Sequence, residues 1–517
     1  MDIADTEQWP QVSDDLQQLH ATIRMLRADL LNDGNALINE WQPTITRPTF
    51  LPSARNLAYY LALRRHDLRP LQEHLALRGL SSLGRSEAHV LATFDALMAL
   101  LASATGSATS GVYSFPSSAS FTAGREAIAR EAATLFGSSL SGRSTRIMVT
   151  VPSEAAESPL FAETILQSGA ECVRINCAHD SPEVWEAMVA HIRRAEQSVG
   201  SGRRLRILMD LAGPKVRTVR PAKESGDRLF TDDRILLVHD LGSSEATDLP
   251  RVASTIPGVV GQLTLNAEVW FDDGQIGARV VELRDDGALL VITHAPPEGK
   301  KLRSAKGLNL PGTDLEIVPL TAKDRADLAL VAQHADMVGY SFVQSAGDVA
   351  LLQEALAEHV SDRRPPALVL KIETRRAVQQ LPALIVQAAG HQPSAVMIAR
   401  GDLAVELGYE RMAEMQEEIL WLCEAAHTPV IWATQVLESL TREGLPSRAE
   451  VSDAALAARA ECVMLNKGPY IAESVRLLDG ILLRMQNHQV KKTAHLRALR
   501  SWEALFGESS AARRDGS

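Results

Sequence analysis

The chain has little of what several classes of function require. It holds only four cysteines, Cys172, Cys177, Cys423 and Cys462, with no CxxC spacing. They read as reduced core thiols rather than as a disulfide framework or a zinc site. No stretch resembles a membrane span: the most apolar one, Val90–Ala104, carries Asp95 and reads as an amphipathic helix, so no membrane partner is expected. The opening residues, MDIADTEQ, are acidic and include no apolar segment. A secretory signal is therefore not expected, and a cytoplasmic location is. An excess of positive charge is also missing: 53 Lys and Arg face 64 Asp and Glu, a net charge of -11. That balance argues against general nucleic-acid binding, while local basic groups remain free to hold an anionic substrate.

What is present is organised in blocks. At 517 residues, two or three domains are expected. Residues 1–124 read as a helical N-terminal region, with apolar residues at helical spacing over Val12–Leu31, Leu57–Leu61, Leu71–Leu77 and Val90–Leu101. The Ser- and Gly-rich run Ser103–Gly124 reads as a linker, and a helix over Arg125–Phe136 follows. From Arg146 the texture changes to alternating strand and helix. Strands are expected at Ile147–Val151, Cys172–Cys177, Ile207–Leu211, Met337–Phe342, Leu368–Glu373, Val396–Arg400, Val430–Thr434 and Cys462–Leu465. Ser181-Pro182-Glu183 and Ser447-x-x-Glu450 supply helix start signals. Eight such units predict an α/β fold, a closed parallel (β/α)8 TIM barrel over 125–218 and 304–490. The rhythm breaks at 219–303, where short strands at Ile235–His239, Val269–Asp272, Ala278–Leu283 and Leu289–Thr293 are separated by acid-Gly turns. That pattern predicts a small inserted β-barrel lid at the catalytic mouth. Residues 491–517 read as a basic tail.

The carboxyl ends of these strands carry charge that burial alone does not explain. Strand two presents Arg174, Asn176 and then His179; strand three presents Asp210, followed by Lys215 and Arg217. Strand five gives Lys371 and Glu373, strand six Arg400, Gly401 and Asp402, and strand seven Thr434. Glu373 and Asp402 offer hard oxygen donors for one divalent cation. Arginines and a lysine beside them suit a phosphorylated, carboxylated substrate. The amides of Gly401 and Asp402, where a loop opens into a helix, suit a carboxylate. Each residue also has a plainer reading. Lys371 and Glu373, on one face of a strand, also fit a structural ion pair; Asp402 fits a helix cap, Thr434 a backbone partner and His179 a polar loop residue.

Seven motifs in order give these residues a resemblance. Arg174-Ile-Asn-Cys-Ala-His179 is similar to the RLNFSH motif of pyruvate kinases. Met209-Asp-Leu-Ala-Gly-Pro-Lys-Val-Arg-Thr218 resembles their LDTKGPEIRT, and Lys306-Gly-Leu-Asn-Leu-Pro-Gly312 their KGVNLPG. Lys371-Ile-Glu373, Ala399-Arg-Gly-Asp-Leu403, Ala433-Thr-Gln435 with Leu437-Glu-Ser439, and Ser447-Arg-Ala-Glu450 follow in sequence. The resemblance covers Arg146 to Met485. It implies phosphoryl transfer from phosphoenolpyruvate to ADP, giving pyruvate and ATP, with Mg²⁺ or Mn²⁺, by a homo-oligomer. By the same resemblance Lys371 stabilises the phosphoryl group in flight, and Glu373 and Asp402 bind the metal. Arg174 contacts the phosphate, Gly401 and Asp402 hold the substrate carboxylate, and Thr434 sits near the protonation step. Arg217, His179 and Asn176 fall on the nucleotide side.

The departures matter as much. Of the family's K⁺ ligands, Asn176 and Asp210 are kept, while the serine is Ala178; the glutamate of the GPE triplet is Lys215. The resemblance then implies independence from K⁺, with Lys215, alongside Asn176 and Asp210, supplying the charge. The eighth strand reads Met464-Leu-Asn-Lys-Gly-Pro469 in place of MLSGETA, and the usual C-terminal effector domain has no counterpart in the motif order. Two alternatives stay open: a related barrel enzyme acting on another phosphorylated or keto-acid substrate, and a non-catalytic metabolite-binding regulator.

Overall fold

The computed structural model describes residues 16–106, 114–139, 142–200, 202–220, 228–242, 249–360, 364–491 and 493–494. Most of the expected tail, residues 495–517, lies outside them, as does 107–113 of the expected linker.

Eight strands close a barrel in chain order, all parallel: β1 Arg146–Thr150, β2 Cys172–Asn176, β3 Arg206–Asp210, β4 Met337–Tyr340, β5 Ala367–Ile372, β6 Ser394–Ala399, β7 Val430–Ala433 and β8 Cys462–Leu465. Every residue of β1 and of β4 to β8 is buried, which explains their near-continuous apolar sequences, while β2 leaves Arg174 and Asn176 partly exposed. The sequence places all eight to within a residue or two. Met148, Cys172, Leu208, Met337, Met397, Ile431 and Cys462 fill the barrel interior together with Leu135 and Phe136. All four cysteines are buried and free.

The N-terminal helices are α1 Leu16–Trp41, α2 Leu51–Leu63, α3 Arg69–Ala76, α4 Val90–Ala104 and α5 Ser118–Phe136. α1 runs ten residues beyond its expected end. α5 starts seven residues before its expected start, inside the run read as a linker. A Cβ on Gly124 of α5 would lie 2.3 Å from the carbonyl oxygen of Ala88, so glycine there permits a close approach instead of breaking the helix. The last turns of α5 close the amino-terminal end of the barrel, and Cys172 reaches the Phe136 carbonyl at 3.5 Å. Among the described residues one stretch, 87–104, is long and apolar enough to cross a membrane. More than half of it is buried in the protein, where Phe94, Leu97 and Leu101 pack with Leu19, Ile23 and Leu26 of α1. Asp95 pairs with Arg27 at 2.6 Å.

The insert forms a seven-stranded sheet in the order Leu308–Asn309, Glu268–Phe271, Ile276–Arg284, Gly287–His294, Arg234–Val238, Arg251–Ser254 and Thr218–Val219. Its two end strands are joined through the Arg217–Gly307 bridge and a 2.8 Å bond from the Thr218 amide to the Lys306 carbonyl. The sheet thus takes in Thr218 and Leu308–Asn309, beyond both limits of the expected 219–303. Of the two helix start signals, Ser447 and Glu450 form a full capping box. Ser181 does not cap: its hydroxyl binds the Glu183 carboxylate at 2.5 Å, although Pro182 does open the helix.

Candidate active site

The strand register sets the site. Asn176 of β2 and Gly339 of β4 flank Asp210 of β3, and Lys371 of β5 lies beside Met397 of β6. A Cβ on Gly339 would come within 2.3 Å of Asp210 Oδ1, so glycine is required for the aspartate to occupy this interior position. Asp210 is fully buried. Its Oδ2 accepts from Arg174 Nε at 2.8 Å and Nη2 at 2.5 Å, and lies 3.2 Å from Lys371 Nζ. Lys371 also donates to Ser341 Oγ at 2.7 Å and lies 3.0 Å from Glu373 Oε1. The other Glu373 oxygen accepts from the Phe342 amide at 2.6 Å, where Phe342 takes a left-handed φ of 57°.

Two cations and two carboxylates thus share one buried cluster, and their protonation follows from it. Burial opposes charge on Lys371, but Asp210 and Glu373 outweigh it and raise the lysine above its ordinary pKa. Burial likewise opposes charge on Asp210, yet Lys371 and Arg174 hold it below the usual carboxylate range. Glu373 moves the other way: burial, with the Asp402 and Asp210 charges, prevails over Lys371 and raises it. Lys371 is therefore a fixed positive charge at neutral pH, suited to stabilising an anion and poorly suited to giving up a proton.

Glu373 and Asp402 lie close enough to repel one another, an arrangement that a divalent cation would relieve. Among the described residues no group of three or more His, Cys, Asp or Glu is placed to hold a metal. A cation held by this pair would draw the rest of its shell from water and substrate oxygens. The residues present fit that role, with one obstacle: Lys215 Nζ already contacts both Asp402 oxygens, at 2.8 and 3.1 Å. The expected grouping of Lys215 with Asn176 and Asp210 is not what the structure forms. Asp210 is neutralised by Arg174 and Lys371 instead, while Asn176 accepts the Ala178 amide at 3.2 Å.

At the end of β7, Thr434, Gln435 and Leu437 all adopt left-handed conformations, with φ of 67°, 54° and 48°. For a β-branched residue this is a costly backbone state, on the order of 1–3 kcal/mol. Arg400 holds it in place. Its guanidinium donates to the carbonyls of Ala433 at 2.9 Å and Thr434 at 2.5 Å, stacks 4.8 Å from the Trp432 ring centroid, and pairs with both oxygens of Asp453. The Thr434 hydroxyl consequently accepts from the Gly401 amide at 2.9 Å. That amide, expected to face a substrate carboxylate, is bound to Thr434 in this structure.

Arg174, Asn176 and His179 line a cavity of about 190 Å³ together with Arg442, Asn466 and Lys467. Arg217 does not line it and donates to the Ala305 carbonyl at 3.1 Å. Burial, then the nearby Lys467 and Arg217 charges, lowers the His179 pKa. In the rewritten eighth strand Asn466 donates to Glu438 at 2.7 Å. Sequence reasoning missed Ser341, which accepts from Lys371 and donates to the Leu211 carbonyl at 2.7 Å. It follows β4 directly, so the strand-end rule that singled out the other residues applied to it too.

The family model described as pyruvate kinase, barrel domain, matches residues 142–475. The pyruvate kinase of Kluyveromyces lactis is 31% identical over 343 residues, covering 65% of this chain and 66% of that protein. Pyruvate kinase 2 of Trypanosoma brucei brucei is 31% identical over 360 residues, covering 67% and 68%. For the pyruvate kinase of Geobacillus stearothermophilus the identity is 31% over 352 residues, covering 66% and 57%. The chain thus spans roughly two thirds or less of the length of most of these relatives. With the barrel closed and the family match running from just before β1 to beyond β8, the chain belongs to the pyruvate kinase family.

Proposed function

We propose that the barrel mouth transfers the phosphoryl group of phosphoenolpyruvate to ADP, with a divalent cation held by Glu373 and Asp402. The observation that carries this reading is the buried Lys371 ammonium, 3.0 Å from Glu373 and 3.2 Å from Asp210, fixed in its charged state at the end of β5. A permanent cation in a water-poor site stabilises negative charge spread over a transferring phosphoryl group. The bond from phosphorus to the enol oxygen breaks as a bond to a terminal oxygen of ADP forms, and the enolate left behind takes a proton at its methylene carbon to give pyruvate. Arg174 orients the phosphate while Asp210 fixes the guanidinium from behind. The Gly401 and Asp402 amides receive the substrate carboxylate once Thr434 releases Gly401. Thr434 then stands beside the carbon that is protonated. When bound, Mg²⁺ or Mn²⁺ neutralises charge on the phosphoryl and carboxylate oxygens. The cavity lined by Arg174, Asn176 and His179 takes the nucleotide phosphates, with Lys467 adding a cation that the family's MLSGETA sequence does not have.

Independence from K⁺ belongs to the same proposal. The buried Asp210 charge is already compensated by Arg174 and Lys371, and Lys215 brings a further ammonium to Asp402. The test is pyruvate formation by the full chain from phosphoenolpyruvate and ADP with Mg²⁺, in Tris and in K⁺ buffers. Equal turnover in both supports the whole reading. Turnover only with K⁺ overturns the K⁺ part alone. No turnover in either, with the protein folded, overturns the reaction.

A further inference from the structure

The N-terminal helices meet the underside of the barrel at a polar seam. The amides of Thr46 and Arg47 donate to the Gly390 carbonyl at 2.9 and 2.7 Å, and Asn56 donates to the Ala425 carbonyl at 2.8 Å. Within this seam is a cavity of about 240 Å³, lined among others by Arg47, Ser53, Arg130, Glu131, Ser394 and His427. It lies at the amino-terminal ends of β6 and β7, the opposite end of the barrel from Lys371 and Asp402.

Its walls hold unspent donors. Ser394 opens β6, is 2% exposed, and its hydroxyl has no partner. Arg47 Nη1 is buried without a partner as well, although the same guanidinium pairs with Glu131 through Nη2 and with Thr49 through Nε at 3.0 Å. Arg130 reaches the cavity with its side chain 69% exposed, and among the described residues its ion pair is a loose 3.8 Å contact with Glu126. Burial lowers the His427 pKa, and Nε2 meets the Ala88 carbonyl and Nδ1 the Ser53 hydroxyl, each at 2.9 Å, which places the proton of the neutral ring on Nε2 and leaves Nδ1 to accept. Within the lining itself two guanidinium groups, Arg47 and Arg130, accompany one carboxylate, Glu131, while Glu126 lies outside it. The two buried donors without acceptors, Arg47 Nη1 and the Ser394 hydroxyl, favour a ligand rich in acceptor oxygens.

We propose that this seam is a binding site for a small phosphate monoester, formed jointly by the N-terminal helices and the barrel underside. The phosphate oxygens receive Arg47 Nη1, the Ser394 hydroxyl and the Arg130 guanidinium, a set matched to a dianion. The volume equals that of roughly eight liquid waters, enough for a phosphate and a compact organic part. Because the ligand touches both layers, it tightens the seam and stabilises the folded chain by mass action. The site stands independently of the reaction proposed at the barrel mouth.

The test uses the full chain, with inorganic phosphate and glycerol phosphate as probes, read by thermal shift and calorimetric titration. The barrel mouth is also expected to hold phosphate, so the variants separate the two places. Binding at the seam persists in Arg174→Ala. It weakens about tenfold in Arg130→Ala and in Ser394→Ala, each of which removes one donor, and it is abolished in Ser394→Leu, which fills the cavity. Arg130 is a surface residue, so its variant folds and keeps the proposal testable if Ser394→Leu does not. Wild type showing no binding at millimolar phosphate overturns the proposal. So does binding that is unchanged in Arg130→Ala and Ser394→Ala but lost in Arg174→Ala.

Discussion

The Lys215 ammonium lies 2.8 Å from one Asp402 carboxylate oxygen and 3.1 Å from the other. Lys215 comes from the segment leading into the inserted sheet, and Asp402 from the helix that follows β6. One ion pair therefore ties the insert's base to the Asp402 carboxylate, which we propose as a ligand of the divalent cation. Asp273, in a turn of the insert, adds a weaker contact with Lys215 at 3.7 Å. For the proposed cation, this pair would make Lys215 both a competitor and a resident positive charge.

Replacing Lys215 separates these roles. Lys215→Ala frees Asp402, and the apparent affinity for Mg²⁺ rises while maximal turnover falls. Lys215→Glu places a second carboxylate beside Asp402, and turnover comes to depend on added K⁺. Steady-state rates over a Mg²⁺ series, in Tris and in K⁺ buffers, measure both. A Lys215→Glu variant as indifferent to K⁺ as wild type would show that this ammonium does not replace the ion.

The strained turn after β7 depends on Arg400. Arg400→Ala removes the donors to the Ala433 and Thr434 carbonyls and leaves Asp453 without its cation. The expected loss of stability is about 3 kcal/mol, the usual result of breaking a largely buried ion pair. Turnover should fall with it, because Thr434 relaxes from its left-handed conformation. Chemical denaturation and kcat of the same variant check the two together. Thr434→Val keeps the shape but cannot accept from the Gly401 amide, so it should lower kcat with only a small effect on stability.

Glu406 gives a pH dependence of stability. Burial pushes its carboxyl up to about 7, with the Asp402 charge adding to the rise and the hydrogen bond from Asn309 working against it. The folded pKa exceeds the unfolded one, so the folded state binds the extra proton between them. Stability falls as pH rises through this interval and levels off above about 7. The effect should be roughly 1–3 kcal/mol. Glu406→Gln keeps the Asn309 contact and removes the charge. Its melting temperature should match wild type at pH 4.5 and exceed it at pH 8. A wild type whose excess loss at pH 8 persists in the variant would place the cause elsewhere.

The sequence was most legible where burial and charge conflict. Lys371, Glu373, Asp402 and Arg174 stood out because apolar strands rarely end in such groups by chance, and the eight strands followed from the same contrast. What it hid depends on contacts distant along the chain. Ser341 meets the strand-end rule, but only Lys371 and the Leu211 carbonyl on either side of it show what it does. Gly124 looks like a helix breaker until Ala88 is packed against it. The partner of Lys215 is hidden for the same reason. Its neighbours in sequence point to Asp210, while the long side chain extends to Asp402 on a different strand end.

The central claim is that the fixed charge of Lys371 drives phosphoryl transfer. Its most direct test compares wild type with Lys371→Met, measuring pyruvate formation from phosphoenolpyruvate and ADP with saturating Mg²⁺, and denaturation midpoints in parallel. The account predicts that wild type turns over, while the variant stays folded and loses a factor of about 10³ or more in kcat. A folded variant with near wild-type turnover, or a wild type with none, would contradict it.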